Sequence, residues 1–497
     1  MSQYTASQKT LNVGIVGAGI GGLTAAIAVA RAGAKVTLLE AAHELGEIGA
    51  GIQMFPNVSR FLVRWGVDKI IGDNIVYHHE CNTYFGPDAT LVAHSLASDL
   101  VEKAGFPWFV VRRDHLHYGL TESARRHGVK VIVGARVNEM QDLEDGVHLQ
   151  TTTGDKYTFD MVIGADGIKS FIRSQLLPGI VPKATSKIAA YRGVLTYKQI
   201  FDEIPEARSF LGNNMDVWAG PNGYILTYPI SGGKEFNIVT AFCRDDYVTK
   251  MEQVDIEEFR DYYKDYHPII QKILKLVNYT QRWPLLQMPP VETWSNKHKN
   301  VVLMGDAIHC MQNNMAQGAA TAMEDGAFLG RIISEVVRGV ISIPEAIQLY
   351  EKQRMPKAWV KQQISYMSGV INMMTDTTER NKAALPETQA ALENPVRPTH
   401  LPTTYRSWQC YCTADSVPGI FYYDAEGDAD STVCEYLCSK GPVDEIQQLS
   451  ENLANKWMGY VHNNGLTMQN GEVKSDKGPA LTPADYQRYT SHLHEKN

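Results

Sequence analysis

Apolar positions recur along the chain in two patterns. Residues 13–17 (V-G-I-V-G) form a short unbroken apolar run that reads as a buried strand. Residues 23–32 are Ala-rich and read as a helix, and 35–40 (K-V-T-L-L-E) read as a second strand ending in an acid. Residues 160–166 (D-M-V-I-G-A-D) and 300–306 (N-V-V-L-M-G-D) repeat the shape, each closing on glycine and aspartate. Residues 109–113 read as a strand entering a helix. Continuous apolar strands alternating with helices predict a parallel sheet covered on both faces. Between about 182 and 285 the pattern changes to alternation, as in 217–219, 224–228 and 236–242, which predicts a largely antiparallel sheet. Residues 320–375 read as helices, and the Met-rich face of 363–374 is assigned to packing.

The turn after the first strand is G-A-G-I-G-G at 17–22, a G-x-G-x-x-G pattern. Gly17 permits the tight turn, Gly19 lets a pyrophosphate approach the backbone, and Gly22 lets helix and strand pack closely. Glu40 stands where an acid accepts a hydrogen bond from an adenosine ribose, and its charge disfavours a 2′-phosphate. Residues 13–30 carry no charge and also resemble a secretory signal or a short span. The glycines lower helix propensity there, and the complete strand–turn–helix–strand unit outweighs both alternatives.

Composition narrows the classes. The chain has 497 residues and a formal charge of -8, which argues against a nucleic-acid phosphate binder. Seven cysteines, an odd and sparse number, point to a reducing, cytoplasmic setting. Cys410, Cys412, Cys434 and Cys438 are poorly spaced for zinc, so no metal is expected. No P-loop, G-x-S-x-G or HExxH is present, and a second G-x-G-x-x-G is absent.

These segments, in this order and spacing, resemble the single-component (class A) FAD-dependent aromatic hydroxylases, most of all their fungal salicylate-hydroxylase-like branch. The resemblance covers about 11–375 and a tail motif at 419–426 (G-I-F-Y-Y-D-A-E). It implies an α/β fold: a Rossmann-like FAD-binding domain (1–75, 101–181 and 286–375) interleaved with a mainly antiparallel β-sheet substrate domain (76–100 and 182–285), with a helical C-terminal part. Residues 376–497 are expected to be a loop-rich extension, marked by Pro386, Pro395, Pro398, Pro402 and Pro418 and a polar tail.

The resemblance also implies residue roles. Gly17, Gly19 and Gly22 would cradle the FAD pyrophosphate and Glu40 the ribose. Gly51 and Gln53 would pass near the flavin. Arg113 would contact the ribityl or pyrophosphate region, Asp306 the ribityl hydroxyls, and Gly318 and Ala319 the flavin pyrimidine end. Asp166 and Gly167 belong to a motif linked to FAD and the nicotinamide cofactor, although a plain structural turn is an equal reading. Asp306 has a capping alternative.

In such enzymes NADH or NADPH reduces the flavin and O₂ gives a C4a-hydroperoxyflavin that hydroxylates an electron-rich, phenolic ring. The chain must favour the phenolate and exclude water. Arg192, in the strand-like A-Y-R-G-V-L at 190–195, is the candidate cation; a structural ion pair is its alternative. Tyr224 and Tyr228 share a strand face, and Tyr224 is preferred as the substrate's hydrogen-bond partner, with core packing as its alternative. Glu47 and His309 are further acid–base candidates. The chain departs from the family after Asp306: 309–317 reads H-C-M-Q-N-N-M-A-Q, without the usual prolines and with Asn313 adding an amide. That departure leaves open epoxidation or hydroxylation of an indole or terpenoid intermediate, and a non-enzymatic FAD-binding protein is the third reading. Oligomeric state is not read from the sequence.

Overall fold

A computed structural model describes residues 10–46, 49–220, 223–372, 418–439, 468–469 and 472–473. Its centre is a five-stranded parallel sheet in the order Val301–Leu303, Met161–Gly164, Asn12–Val16, Lys35–Leu39, Lys130–Ile132. Val13, Ile15, Val162, Ile163, Val301 and Leu303 are fully buried, which is why these strands are written almost wholly in apolar residues. Helix Ile20–Arg31 packs on helix Gly318–Val337. They approach so closely that a Cβ at Gly326 would sit 2.7 Å from the Ala25 nitrogen.

The second body is an eight-stranded sheet in the order Glu252–Gln253, Gln281–Gln287, Lys183–Thr196, Glu235–Cys243, Gly223–Ile230, Met215–Gly220, Glu80–Phe85, Thr90–Leu96. Every pair is antiparallel except Met215–Gly220 with Glu80–Phe85. Strand alternation gives this sheet two different faces. Tyr191, Ile225 and Ile238 join Phe259, Ile269 and Ile273 of the helices Ile256–Asp261 and Pro268–Lys275 in one core. Arg192, Val239 and Leu226, one residue along, stand in register and line a cavity. A small antiparallel sheet, Gly51–Met54, Phe109–Arg112 and Val76–Tyr77, meets the large one where the Gly51 amide donates to Asn237 Oδ1 at 2.9 Å.

The loop-rich expectation for 376–497 needs one correction. Residues 418–421 and 425–438 are helical, and Tyr422, Tyr423 and Asp424 are buried. Asp424 caps the second helix through the Gly427 amide (3.2 Å). The Arg60 guanidinium, itself fully buried, pairs with Asp424 at 3.0 Å and donates to the Tyr422 carbonyl at 2.7 Å. An Asp-Ala-Glu helix start facing two arginines overrides the proline-based expectation there. The remaining expectations for 376–417 and the polar tail, with Glu47, Cys410 and Cys412, lie outside the described residues. Among the described residues no helix is long and apolar enough to cross a membrane, and no group of three His, Cys, Asp or Glu could hold a metal ion.

Candidate active site

A cavity of about 380 Å³ opens where the strand ends of the parallel sheet face the large sheet. Its wall includes Gly19, Gly22, Gly51, Gln53, Arg113, Asp306, Gly318 and Ala319 on one side and Arg192, Leu226, Tyr228 and Val239 on the other. The glycine turn is built as its spacing requires. Gly17 has φ +103°, and a Cβ there would overlap the Ala165 carbonyl; a Cβ at Gly22 would overlap the Gly17 carbonyl. Gly17 lies behind the cavity wall rather than on it.

Glu40 also stands off the wall. Its Oε2 accepts from the Ala18 amide at 2.7 Å and its Oε1 from the Ala42 amide at 2.8 Å, so it braces the glycine turn against the second strand. Asp306 is exposed, lines the cavity and sits in the first turn of Asp306–His309. The N-cap of that helix is Gly305, with φ +60° and no side-chain cap, so the capping alternative does not describe Asp306. Asp166 behaves as a turn residue: it accepts from the Ser170 hydroxyl at 2.5 Å and the Ile172 amide at 3.0 Å. Burial pushes its pKa up.

Three features of this cavity fit a flavin dinucleotide. A Cβ at Gly19 would meet nothing within 4 Å, so the turn presents bare backbone to open space. Helices Ile20–Arg31 and Gly318–Val337 both begin at the cavity without a side-chain cap, leaving amide donors and positive dipole ends there. Gln53 is 1% exposed, lines the wall, and neither its Oε1 nor its Nε2 has a hydrogen-bond partner. An orphaned buried amide of this kind costs free energy unless a ligand satisfies it.

The two tyrosines separate. Tyr224 packs with Ile188, Ala190, Ala241 and Leu285, and its hydroxyl donates to Asn314 Oδ1 at 2.9 Å. It is not on the cavity wall, which corrects the preference for it. Tyr228, four residues along the same face, is on the wall, and the Tyr228 ring fills the space a Gly51 side chain would take, 2.5 Å from that Cβ position. Burial pushes the Tyr228 pKa up, while Arg192 and Arg113 pull in the other direction. Arg192 lies with Cζ 5.4 Å from the Trp283 ring centre.

Loop 310–317 lacks the prolines yet is firmly held. Gln312 is fully buried, donates to Thr185 Oγ1 and Ser186 Oγ at 3.0 and 3.1 Å, and accepts from Asn314 Nδ2. Asn313 faces the cavity with its buried Oδ1 unpartnered. His309 is turned away: it is 2% exposed, its Nε2 lies 2.5 Å from Asp325 Oδ2, and it does not line this cavity.

Behind the site lies a charged network that the sequence reading missed. Arg354 donates to Asp325 Oδ1 (2.9 Å) and Glu324 Oε2 (2.8 Å), and all three residues are fully buried. Lys361 and Asn57 both donate to Glu324 Oε1 at 2.6 Å and also reach Gln317 Oε1. Asp325 Oδ2 accepts from the Gly305 amide at 3.1 Å and so holds the turn that presents Asp306. The adjacent Glu324-Asp325 inside an apolar helix was the available signal, because two buried carboxylates require cations.

The FAD binding domain family matches residues 10–364 of the chain. The 3-hydroxybenzoate 6-hydroxylase of Klebsiella oxytoca is 33% identical over 352 residues, covering 70% of this chain and 85% of its own length. The FAD-dependent monooxygenase OpS4 of Beauveria bassiana is 32% identical over 355 residues, covering 70% of this chain and 82% of its own length. A salicylate hydroxylase solved with its substrate superposes with a TM-score of 0.68 at 21% identity, covering 85% of this chain and 98% of the other.

Proposed function

This chain belongs to the FAD binding domain family, among its FAD-dependent aromatic hydroxylases, and on that premise we propose that it hydroxylates a phenolic ring held against Arg192 and Tyr228. It is an FAD-dependent monooxygenase, which sets the non-enzymatic reading aside. Gly19, Gly22 and the amide ends of the two cavity helices would hold the pyrophosphate and pyrimidine ends of FAD. Asp306 and Arg113 would bind the ribityl and phosphate region, Glu40 the ribose, and Gln53 an edge of the flavin. FAD, when bound, supplies activated oxygen at the expense of NADH or NADPH and O₂, one oxygen atom entering the ring and the other leaving as water.

The chain's own residues govern the substrate. A phenol ionises near pH ~10, and an adjacent guanidinium lowers that value by favouring the phenolate. Arg192 stays cationic and offers two parallel donors to the ring oxygen or to a neighbouring carboxylate. Tyr228, whose pKa burial raises, keeps its proton and donates to the same oxygen. Leu226, Val239 and Met311 supply apolar walls that exclude water, and Asn313 Oδ1 accepts from a substrate donor. The free thiols of Cys243 and Cys310 support a reducing, cytoplasmic compartment.

The observation that carries this reading is the convergence of Arg192 and Tyr228 on the cavity that the glycine turn also faces. Arg192→Gln tests it. FAD content is expected to stay at wild-type level while substrate-stimulated NAD(P)H oxidation and product formation fall by about 10²-fold, the loss of roughly 2.7 kcal/mol of transition-state stabilisation. Unchanged turnover would reduce Arg192 to a structural residue.

A further inference from the structure

The flavin-facing cavity is not the end of the space around Arg192. A groove of about 480 Å³ is also lined by this side chain, together with Val194, Leu276, Val277, Tyr279 and Trp283. The two spaces share Arg192, and Ala50 lines the groove beside Gly51, which lines the cavity. The groove is held in place: Thr280 Oγ1 donates to the Arg192 carbonyl at 2.9 Å, fixing the segment 276–281 to the strand Lys183–Thr196.

Its surface chemistry is selective. Val194 is 39% exposed and Tyr279 56% exposed, so the groove leaves large apolar side chains open to a ligand. Among the described residues, Arg192 is the one charged side chain that lines it. A nicotinamide dinucleotide carries two or three phosphates and is best held by several cations; among the described residues this groove supplies one, the shared Arg192, beside neutral donors at Gln199, Asn278, Thr280 and Gln281. An uncharged apolar group meets no such demand. Arg192 lines both the cavity of about 380 Å³ and the groove, so a substituent on a ring held at Arg192 comes within reach of the groove.

We propose that the substrate has two parts: an electron-rich ring held at Arg192 in the cavity, and a phosphate-free apolar substituent, such as an alkyl or isoprenoid chain or a second ring, lying in the groove lined by Val194 and Tyr279. This rests on the hydroxylase reading above and adds the substrate class. One-ring acids then use only part of the site. Each buried methylene of the substituent adds binding, so a chain of several carbons raises kcat/KM by at least about tenfold over the bare ring.

The test uses the FAD-loaded full chain and a panel of hydroxybenzoates and hydroxyindoles, each bare or carrying a pentyl, geranyl or benzyl substituent. Product formation is read by mass spectrometry and the ratio of kcat/KM, substituted over bare, is compared for wild type, Val194→Glu and Tyr279→Ala. A wild-type ratio above about ten that collapses toward one in both variants, with FAD content unchanged, supports the proposal. A wild-type ratio near one, with bare rings hydroxylated, overturns the proposal and leaves the hydroxylase reading intact. So does an unchanged ratio in the variants accompanied by a raised KM for NADH or NADPH, which would make the groove a cofactor station. Hydroxylation of no panel member by flavin-loaded protein removes the substrate reading at Arg192 and the proposal with it.

Discussion

Replacing Arg354 by Met tests whether the buried charges behind the site hold its geometry. Arg354 has no exposed surface and bridges two carboxylates, Glu324 and Asp325, that have none either. Its loss is unequal for the two. Glu324 keeps Lys361 and Asn57, each at 2.6 Å. Asp325 keeps the Gly305 amide, the His309 ring and the Tyr350 hydroxyl, so its charge stays buried without a permanent cation. Breaking a buried pair in this way costs about 3–5 kcal/mol, whereas a surface pair costs under about 1. For a unit of this size that corresponds to a melting point lower by on the order of 5–10 °C. The effect reaches the site, because Asp325 holds the turn carrying Asp306. FAD affinity is therefore expected to fall along with stability. Arg354→Lys does not restore it, since one ammonium cannot span two carboxylates in the guanidinium fork geometry. The assay is a thermal melt followed by tryptophan and flavin fluorescence, with FAD titrated into apoprotein. A shift below about 2 °C with unchanged FAD affinity would refute the reasoning.

Three further outcomes follow from other parts of the molecule. Gly22→Ala places a methyl group on the Gly17 carbonyl, so the protein is expected to purify without bound FAD and to show no flavin absorbance after dialysis against it. Asp424 is buried, which alone would raise its pKa, but Arg60 and Arg64 outweigh burial and bring it down to about 2. Its folded value thus lies below the unfolded ~3.9, so it contributes about 2 kcal/mol above pH ~4, lost as pH falls toward 2. The melting-point gap between wild type and Asp424→Asn should narrow from pH 5 to pH 2.5, and a constant gap contradicts the assignment. Asp216 is the opposite case: burial pushes it up to about 7 despite the hydrogen bond from Asn82 at 3.0 Å. An acid raised in the folded state loses stability as pH rises from ~4 to ~7, so Asp216→Asn should stabilise the protein at pH 8 and not at pH 4.

How far the sequence reached can be followed residue by residue. Gly17 and Gly22 were legible because their constraint is local: the turn, the helix start and the strand lie within a few residues, and no other side chain fits the φ and the spacing. Arg192 was legible for a related reason, since a guanidinium in an apolar strand must face either a partner or a ligand. The two tyrosines mark where local reasoning stops. Alternation places Tyr224 and Tyr228 on one face, and nothing in 223–230 says which end of that face the other domain crosses. That choice is made by Gly51, whose missing side chain lets the Tyr228 ring close against the Gly51–Met54 strand, while Asn314 takes up Tyr224. The Glu324–Arg354 pairing and the docking of Asp424 on Arg60 are long-range in the same sense. Each half reads locally as a polar residue on a helix, and only the meeting of distant segments makes it a buried charge. The residues that sequence reading assigns to the cofactor are thus those with near neighbours in the chain. Tyr228 and Asn313 on the cavity wall, and the groove beside Arg192, are set by how two interleaved bodies close on each other. Substrate identity therefore has to be sought at that closure, where Arg192 is the single residue belonging to both readings.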